Sequence, residues 1–311
     1  MRATRALVVG STAMGLLFSA PRPARAQAWV PPAHSGAVTF VVEEIDHVGR
    51  MADDGSRQAV GKAVNLGIDV EVDYAFTDRF SISTSLPYII SKYTDPNPPP
   101  KPLPFPTVDA CSCWGASFAD FGFTARYNAV NVNRSFMLTP FVSAGLPSHA
   151  YSYVGEAVVG RRLNEFRFGA DAGQRLDRLL TGLSLEAGYR YTIVGRIMDI
   201  PNNRSNGWAQ VALAFPRGFS TRAIMSWQRT HGGLRFPAVL ASDVPEMWTE
   251  FHRMLRDNYL HAGGGLSYSR GPWEISGSVL VTARGSNSHD IRVFTLTFGR
   301  AFEIGGDRSG H

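Results

Sequence analysis

The chain has 311 residues, of which 18% are charged, 31 are glycine and two are cysteine. Its formal charge of +5 hints at an acidic partner, yet four of the 31 basic residues (Arg2, Arg5, Arg22 and Arg25) lie before Gln27, where no acidic residue occurs. Without them 27 basic residues face 26 acidic ones, which excludes a strongly basic nucleic-acid-binding domain.

The first element is a leader. Met1–Arg5 is basic, Ala6–Phe18 is apolar, and Ala24-Arg25-Ala26 gives small residues where a signal peptidase cuts. That is the layout of a removable secretory signal over 1–26, with the mature chain starting at Gln27, although Ala26-Gln27-Ala28 also allows cleavage just before Trp29. The apolar run is too short for a permanent helical span, which needs about 20 residues. No later stretch is apolar enough for one, so a mature chain that crosses a membrane has to do so as a closed barrel. Sparse cysteine suits an exported protein that is not stapled by disulfides.

Period-two patterning then dominates the chain. Val64, Leu66, Ile68, Val70, Val72, Tyr74 and Phe76 alternate with Asn65, Gly67, Asp69, Glu71, Asp73 and Ala75, which makes one strand face wholly apolar. The split recurs in Phe80–Ser91, in Ala119–Asn128, in Glu165–Gly173, in Leu183–Ile193, in Leu260–Tyr268 and in Phe294–Phe302. Strands are predicted near 37–49, 61–76, 80–93, 118–130, 135–148, 161–176, 183–198, 207–215, 219–232, 258–268, 273–284 and 291–302.

Alternation alone fits a soluble sandwich as well. The links decide, because short turns at 77–79, 131–134, 179–182, 216–218 and 269–272 alternate with longer links at 50–60, 94–117, 149–160, 199–206, 233–257 and 285–290. Tight periplasmic turns and long external loops give that asymmetry. Aromatic residues (Tyr74, Phe76, Phe80, Tyr127, Phe136, Phe215, Phe219, Tyr268, Trp273 and Phe302) gather at the short turns, as in an interfacial girdle. The fold expected is all-β, an antiparallel transmembrane barrel of about twelve strands over 27–302. Its even strand count puts both termini on the periplasmic side, and a polar tail follows over 303–311. Pro140, in a predicted mid-strand, fits only beside a bulge.

With this strand order in place, Ala28-Trp29-Val-Pro-Pro32, Tyr74–Tyr88, Asp120–Tyr127 and Ser143-Ala-Gly-Leu-Pro147 resemble a family of exported barrels. These are the MetA-pathway phenol-degradation, or outer-membrane transporter-like, proteins. Where the family has Leu-Pro-Thr-Gly, this chain has Leu146-Pro147-Ser148-His149. The resemblance implies an outer-membrane protein of a Gram-negative-type bacterium that passes aromatic or apolar small molecules.

The inward parity collects Asp69, Glu71, Asp73, Asp120, Arg126, Glu165, Arg167, Asp171, Arg175, Glu186, Arg190, Arg222 and Glu274. Opposed acidic and basic walls would orient a solute in transit, and paired charges would equally fill and stiffen the lumen. In 233–257, Val244, Met247, Trp248, Phe251, Met254 and Leu255 follow helical spacing. This segment reads either as a lid, with Met247, Trp248 and Phe251 facing ligand, or as a helix packed on the rim.

Asp95–Pro106 is proline-rich and reads as a stiff loop. Cys111-Ser-Cys113 beyond it reads as a local disulfide or two free thiols. The eight histidines show no metal spacing and no HExxH, and GxSxG is absent, so no metal, cofactor or catalytic residue is assigned. Ser288-His289 is poorly placed for proton transfer, since strand neighbours face opposite ways. The expected function is a monomeric passive channel for small aromatic or apolar molecules, with outer-membrane lipid as its other partner. A structural or display barrel with a filled lumen is the competing reading, ahead of an outer-membrane hydrolase.

Overall fold

The computed structural model describes residues 28–58, 61–94, 113–151, 159–235, 250 and 253–304. Alternating apolar and polar side chains make these segments strands, which form one antiparallel sheet. In chain order the strands are β1 (Ser35–Met51), β2 (Arg57–Gln58), β3 (Lys62–Ala75), β4 (Phe80–Thr94), β5 (Trp114–Phe118), β6 (Asp120–Tyr127), β7 (Val130–Val132) and β8 (Phe136–Pro147). There follow β9 (Glu165–Arg175), β10 (Leu183–Val194), β11 (Asn202–Ala214), β12 (Phe219–Gly232), β13 (Asn258–Arg270), β14 (Trp273–Ser286) and β15 (Ser288–Glu303).

β2 prolongs β3, and β5, β6 and β7 follow one another in a single stave, so the barrel has twelve staves. Each stave pairs antiparallel with the next, and β15 pairs with β1 from Ser35↔Glu303 to Met51↔Ser288, which closes the ring.

The outward parity is the apolar one. Val42, Val70, Phe123, Phe168, Val211, Ile275 and Phe298 are 37–47% exposed on the outside, far more than core residues tolerate in water. An unbroken apolar exterior of this kind is the lipid-facing surface of a membrane barrel. At the short-turn end Phe76 lies 4.9 Å from Tyr74, Phe219 4.8 Å from Tyr268, and Trp273 5.1 Å from Phe298. Rings gather toward the other end too, where Tyr88 meets Phe118 at 5.0 Å and Phe168 meets Tyr191 at 5.7 Å.

Two prolines explain the broken stave. Pairing passes from Tyr88↔Phe118 to Ser85↔Gly122, a shift of one residue at Ala119 opposite Pro87. It shifts again between Arg126↔Phe141 and Val130↔Leu138, at Asn128 and Ala129 opposite Pro140. Each proline faces a bulge, where a missing N–H removes little from the ladder. Ala119, expected among the outward residues, is accordingly turned in and 5% exposed. Pro140→Ala is expected to move stability by no more than about 1 kcal/mol. A larger loss in a urea titration would mean that the ring itself holds the bulge.

Three links differ from expectation. β14 and β15 are separated by Asn287 alone, at φ 51°, so 285–290 is a tight turn rather than a long link. β11 begins at Asn202, inside the expected 199–206 loop, because Asn202–Asn206 is polar on both faces and hides its alternation. β9 begins at Glu165 rather than 161. Cys113 is disulfide-bonded, which removes the free-thiol alternative. Met247, Trp248 and Phe251, together with the rest of the expected helix apart from Glu250 and Arg253–Leu255, lie outside the described residues.

Candidate functional site

The lumen is where the polar parity converges, and the chain itself occupies its short-turn end. Ala28 is fully buried: its carbonyl accepts from Thr139 Oγ1 at 2.7 Å, and its N–H donates to Glu186. Trp29 packs where a Cβ on Gly173 would stand 2.4 Å from its ring, so this glycine of β9 makes the seat for the indole. The guanidinium of Arg175 lies 6.0 Å from the same ring. Ser35 Oγ donates to Pro32 O at 2.7 Å, and Ala33 N to Asp78 Oδ1 at 2.9 Å, so the strap is held as it turns into β1.

Beside this strap is a cavity of about 720 Å³. Trp29, Pro31 and Pro32 form an apolar side of it, and Arg126, Arg175 and Arg222 a basic one. Arg126 reaches across β4, with Nη1 2.8 Å from Ser83 Oγ and 4.0 Å from Asp73. Arg222 makes a weak 3.5 Å contact with Ser276. Glu71 and Glu274 line the same space and are both engaged by neighbours.

Farther along, Asp171 accepts from Trp208 Nε1 at 3.2 Å, and Gly188 leaves the room for that contact, since a Cβ there would lie 2.2 Å from both partners. Glu186 also accepts from Gln210 at 3.0 Å. Asp69 faces inward on β3 at the level of Val41 and Pro87. Arg190 exposes its guanidinium to the lumen with no hydrogen bond or ion pair among the described residues.

The long-loop end carries a charged network. Glu165 lies between Arg167, at 2.7 Å, and Arg204, which also bonds it directly. Asp257, just ahead of β13, accepts from Arg161 and Gln228, each at 3.3 Å, and its carbonyl accepts from Thr230 Oγ1 at 2.6 Å. Burial pushes the Asp257 carboxyl up from its ordinary range, with Arg161 and Arg204 pulling the other way. Tyr151 donates to Asp120 and accepts from Arg162 N, and its phenol is raised by burial and by that carboxylate. Leu163, Met254 and Leu255 close the space between these groups.

Acidic and basic side chains are mixed around the lumen, with Glu165, Asp171 and Glu186 on the same strands as Arg167, Arg175 and Arg190. Glu43, Asp69, Glu71 and Asp73 line β1 and β3, and Arg167, Arg190, Arg204 and Arg222 line β9 to β12. Asp73–Arg126 and Glu165–Arg167 join opposite charges directly. Arg204, Asp257 and Arg161 were not among the expected lumenal residues, because they lie in segments read as links or at their edges. Nothing in the local pattern of Ala28–Pro32 marks it as lumenal. On the long-loop rim, Ser117 and Ser148 bracket His149, each hydroxyl 2.9 Å from a ring nitrogen, and hold the loop after β8 against β5.

No protein-family model matches the sequence, and no curated protein matches it. Among solved structures, the chain is similar to an outer-membrane channel of Pseudomonas putida F1, at 10% identity and a TM-score of 0.67. That likeness covers 90% of this chain and 100% of the other. The fold is that of an outer-membrane barrel. The translocator domain of the autotransporter NalP from Neisseria meningitidis is also similar, at 14% identity and a TM-score of 0.50, over 88% of this chain and 90% of that one.

Proposed function

We propose that the chain is exported by its leader to the outer membrane of a Gram-negative-type bacterium, with short turns and termini periplasmic, and acts there as a channel for small aromatic or apolar molecules. The observation that carries this reading is the 720 Å³ lumenal cavity lined both by apolar Trp29, Pro31 and Pro32 and by basic Arg126, Arg175 and Arg222. Such a site fits a ring or short apolar body with one polar end, and is too small for a bulky hydrophilic solute. The resemblance to the phenol-degradation barrels, resting on the turn and strand-end motifs, agrees with that solute class.

The charged network at the long-loop end supports a second reading, a structural or display barrel with a filled lumen. Conductance of the refolded mature protein in a planar bilayer separates the two. Small, stable steps interrupted by added benzoate are expected of the channel. Silence from folded, inserted protein would leave the structural barrel.

A further inference from the structure

The short-turn rim carries an exposed arginine in or beside each of its five turns: Arg79, Arg134, Arg178, Arg217 and Arg270, of which Arg134 also borders the lumenal cavity. None of the five guanidinium groups has an ion pair or a side-chain hydrogen bond among the described residues. The acids within these turns, Asp78 and Asp177, are committed to the backbone, accepting from Ala33 N and Gly182 N at 2.9 Å each. They hold the turns in shape and make no ion pair with the arginines.

Turn geometry does not account for arginine at these places. Arg134 and Arg217 have φ of 58° and 69°, the left-handed region where glycine or asparagine fits at lower cost. Exposed apolar side chains stand among them, with Leu179 78%, Phe219 55% and Leu180 50% accessible. The aromatic row of Phe76, Phe80, Phe219 and Trp273 lies directly inward along the barrel wall. Cations set just beyond an aromatic row, with apolar neighbours, match the depth of lipid phosphates.

We propose that this rim binds anionic phospholipid headgroups of the leaflet it meets, each arginine pairing with phosphate oxygens. The proposal rests on the reading above that the short turns face the periplasm, where that leaflet is phospholipid. Planar guanidinium groups suit phosphate geometry. Each basic side chain near an anionic surface raises binding about fivefold, so five together give a marked lipid preference.

The test is native mass spectrometry of the full mature barrel with dioleoyl phosphatidylglycerol or dioleoyl phosphatidylcholine added in equal amounts. Wild type is expected to retain the anionic lipid at least about tenfold more, and the five-fold Arg→Gln variant at these positions to lose that preference. The five-fold Arg→Lys variant is expected to keep most of it. If the Gln variant does not fold, Arg178→Gln with Arg270→Gln is expected to lose a measurable part of the preference. No preference in the wild type, or one unchanged in a folded Gln variant, overturns the proposal. Arg178→Cys, probed with an impermeant maleimide, is expected to react only after the outer membrane is permeabilised. Reaction on intact cells would reverse the orientation and overturn this proposal while leaving the channel reading to its conductance test.

Discussion

Gly173→Leu is expected to expel the strap from the lumen and raise conductance. A Cβ at this position already stands 2.4 Å from the Trp29 ring and 2.9 Å from Ala28 Cβ. A leucine has nowhere to go unless the strap yields, because β8 and β10 hold β9 on both sides in continuous register. Overpacking of about 1–3 kcal/mol moves the ratio of withdrawn to inserted strap by about 5- to 150-fold. Deleting residues 28–32 should give the same open level without touching the wall. If both variants conduct no better than wild type, the barrier to permeation lies elsewhere, and the charged network at the long-loop end is the place to look.

The second large effect is on stability. Glu165→Gln removes the one carboxylate shared by Arg167 and Arg204, whose side chains are 28% and 12% exposed. Breaking a buried charge cluster at one partner costs about 3–5 kcal/mol, since the remaining cations stay desolvated and unpaired. A urea titration followed by heat-modifiable electrophoretic mobility should show the loss. Replacing Glu165 and Arg204 together by methionine should recover much of it, because an apolar pair of similar volume carries no uncompensated charge. A double variant as weak as the single one would place the cost in packing rather than in charge.

The difference in legibility between strands and lumen has a physical cause. A strand such as Val64–Phe76 declares itself locally, because lipid on one side and polar neighbours on the other force alternation. Asn202–Asn206 faces a polar lumen with one parity and a polar upper exterior with the other, so its strand character was invisible. The single-residue turn at Asn287 was hidden as well, since Ser286–Asp290 has the composition of a loop. The lumen is harder still. Glu165 meets Arg204 across 39 positions and Thr139 meets Ala28 across 111, and no local pattern encodes such partners. Gly173 was read correctly as a small inward residue, but what it makes room for lies at the far end of the chain. Parity found most of the inward charges, and pairing had to come from the fold.

The join between β1 and β15 has a consequence for how the molecule is made. Its partners, Ser35↔Glu303 through Met51↔Ser288, come from opposite ends of the mature chain. The ring therefore cannot shut until the last strand has been made, and the ordering entropy of that long closure falls on the last step. Until then both terminal strands present raw hydrogen-bonding edges, in a protein whose outer surface water cannot accommodate. A chain cut short before Ser288 has no partner for its first strand, and is a substrate for proteases and chaperones rather than a smaller barrel. The closure of the cylinder thus doubles as a check that the whole polypeptide has arrived.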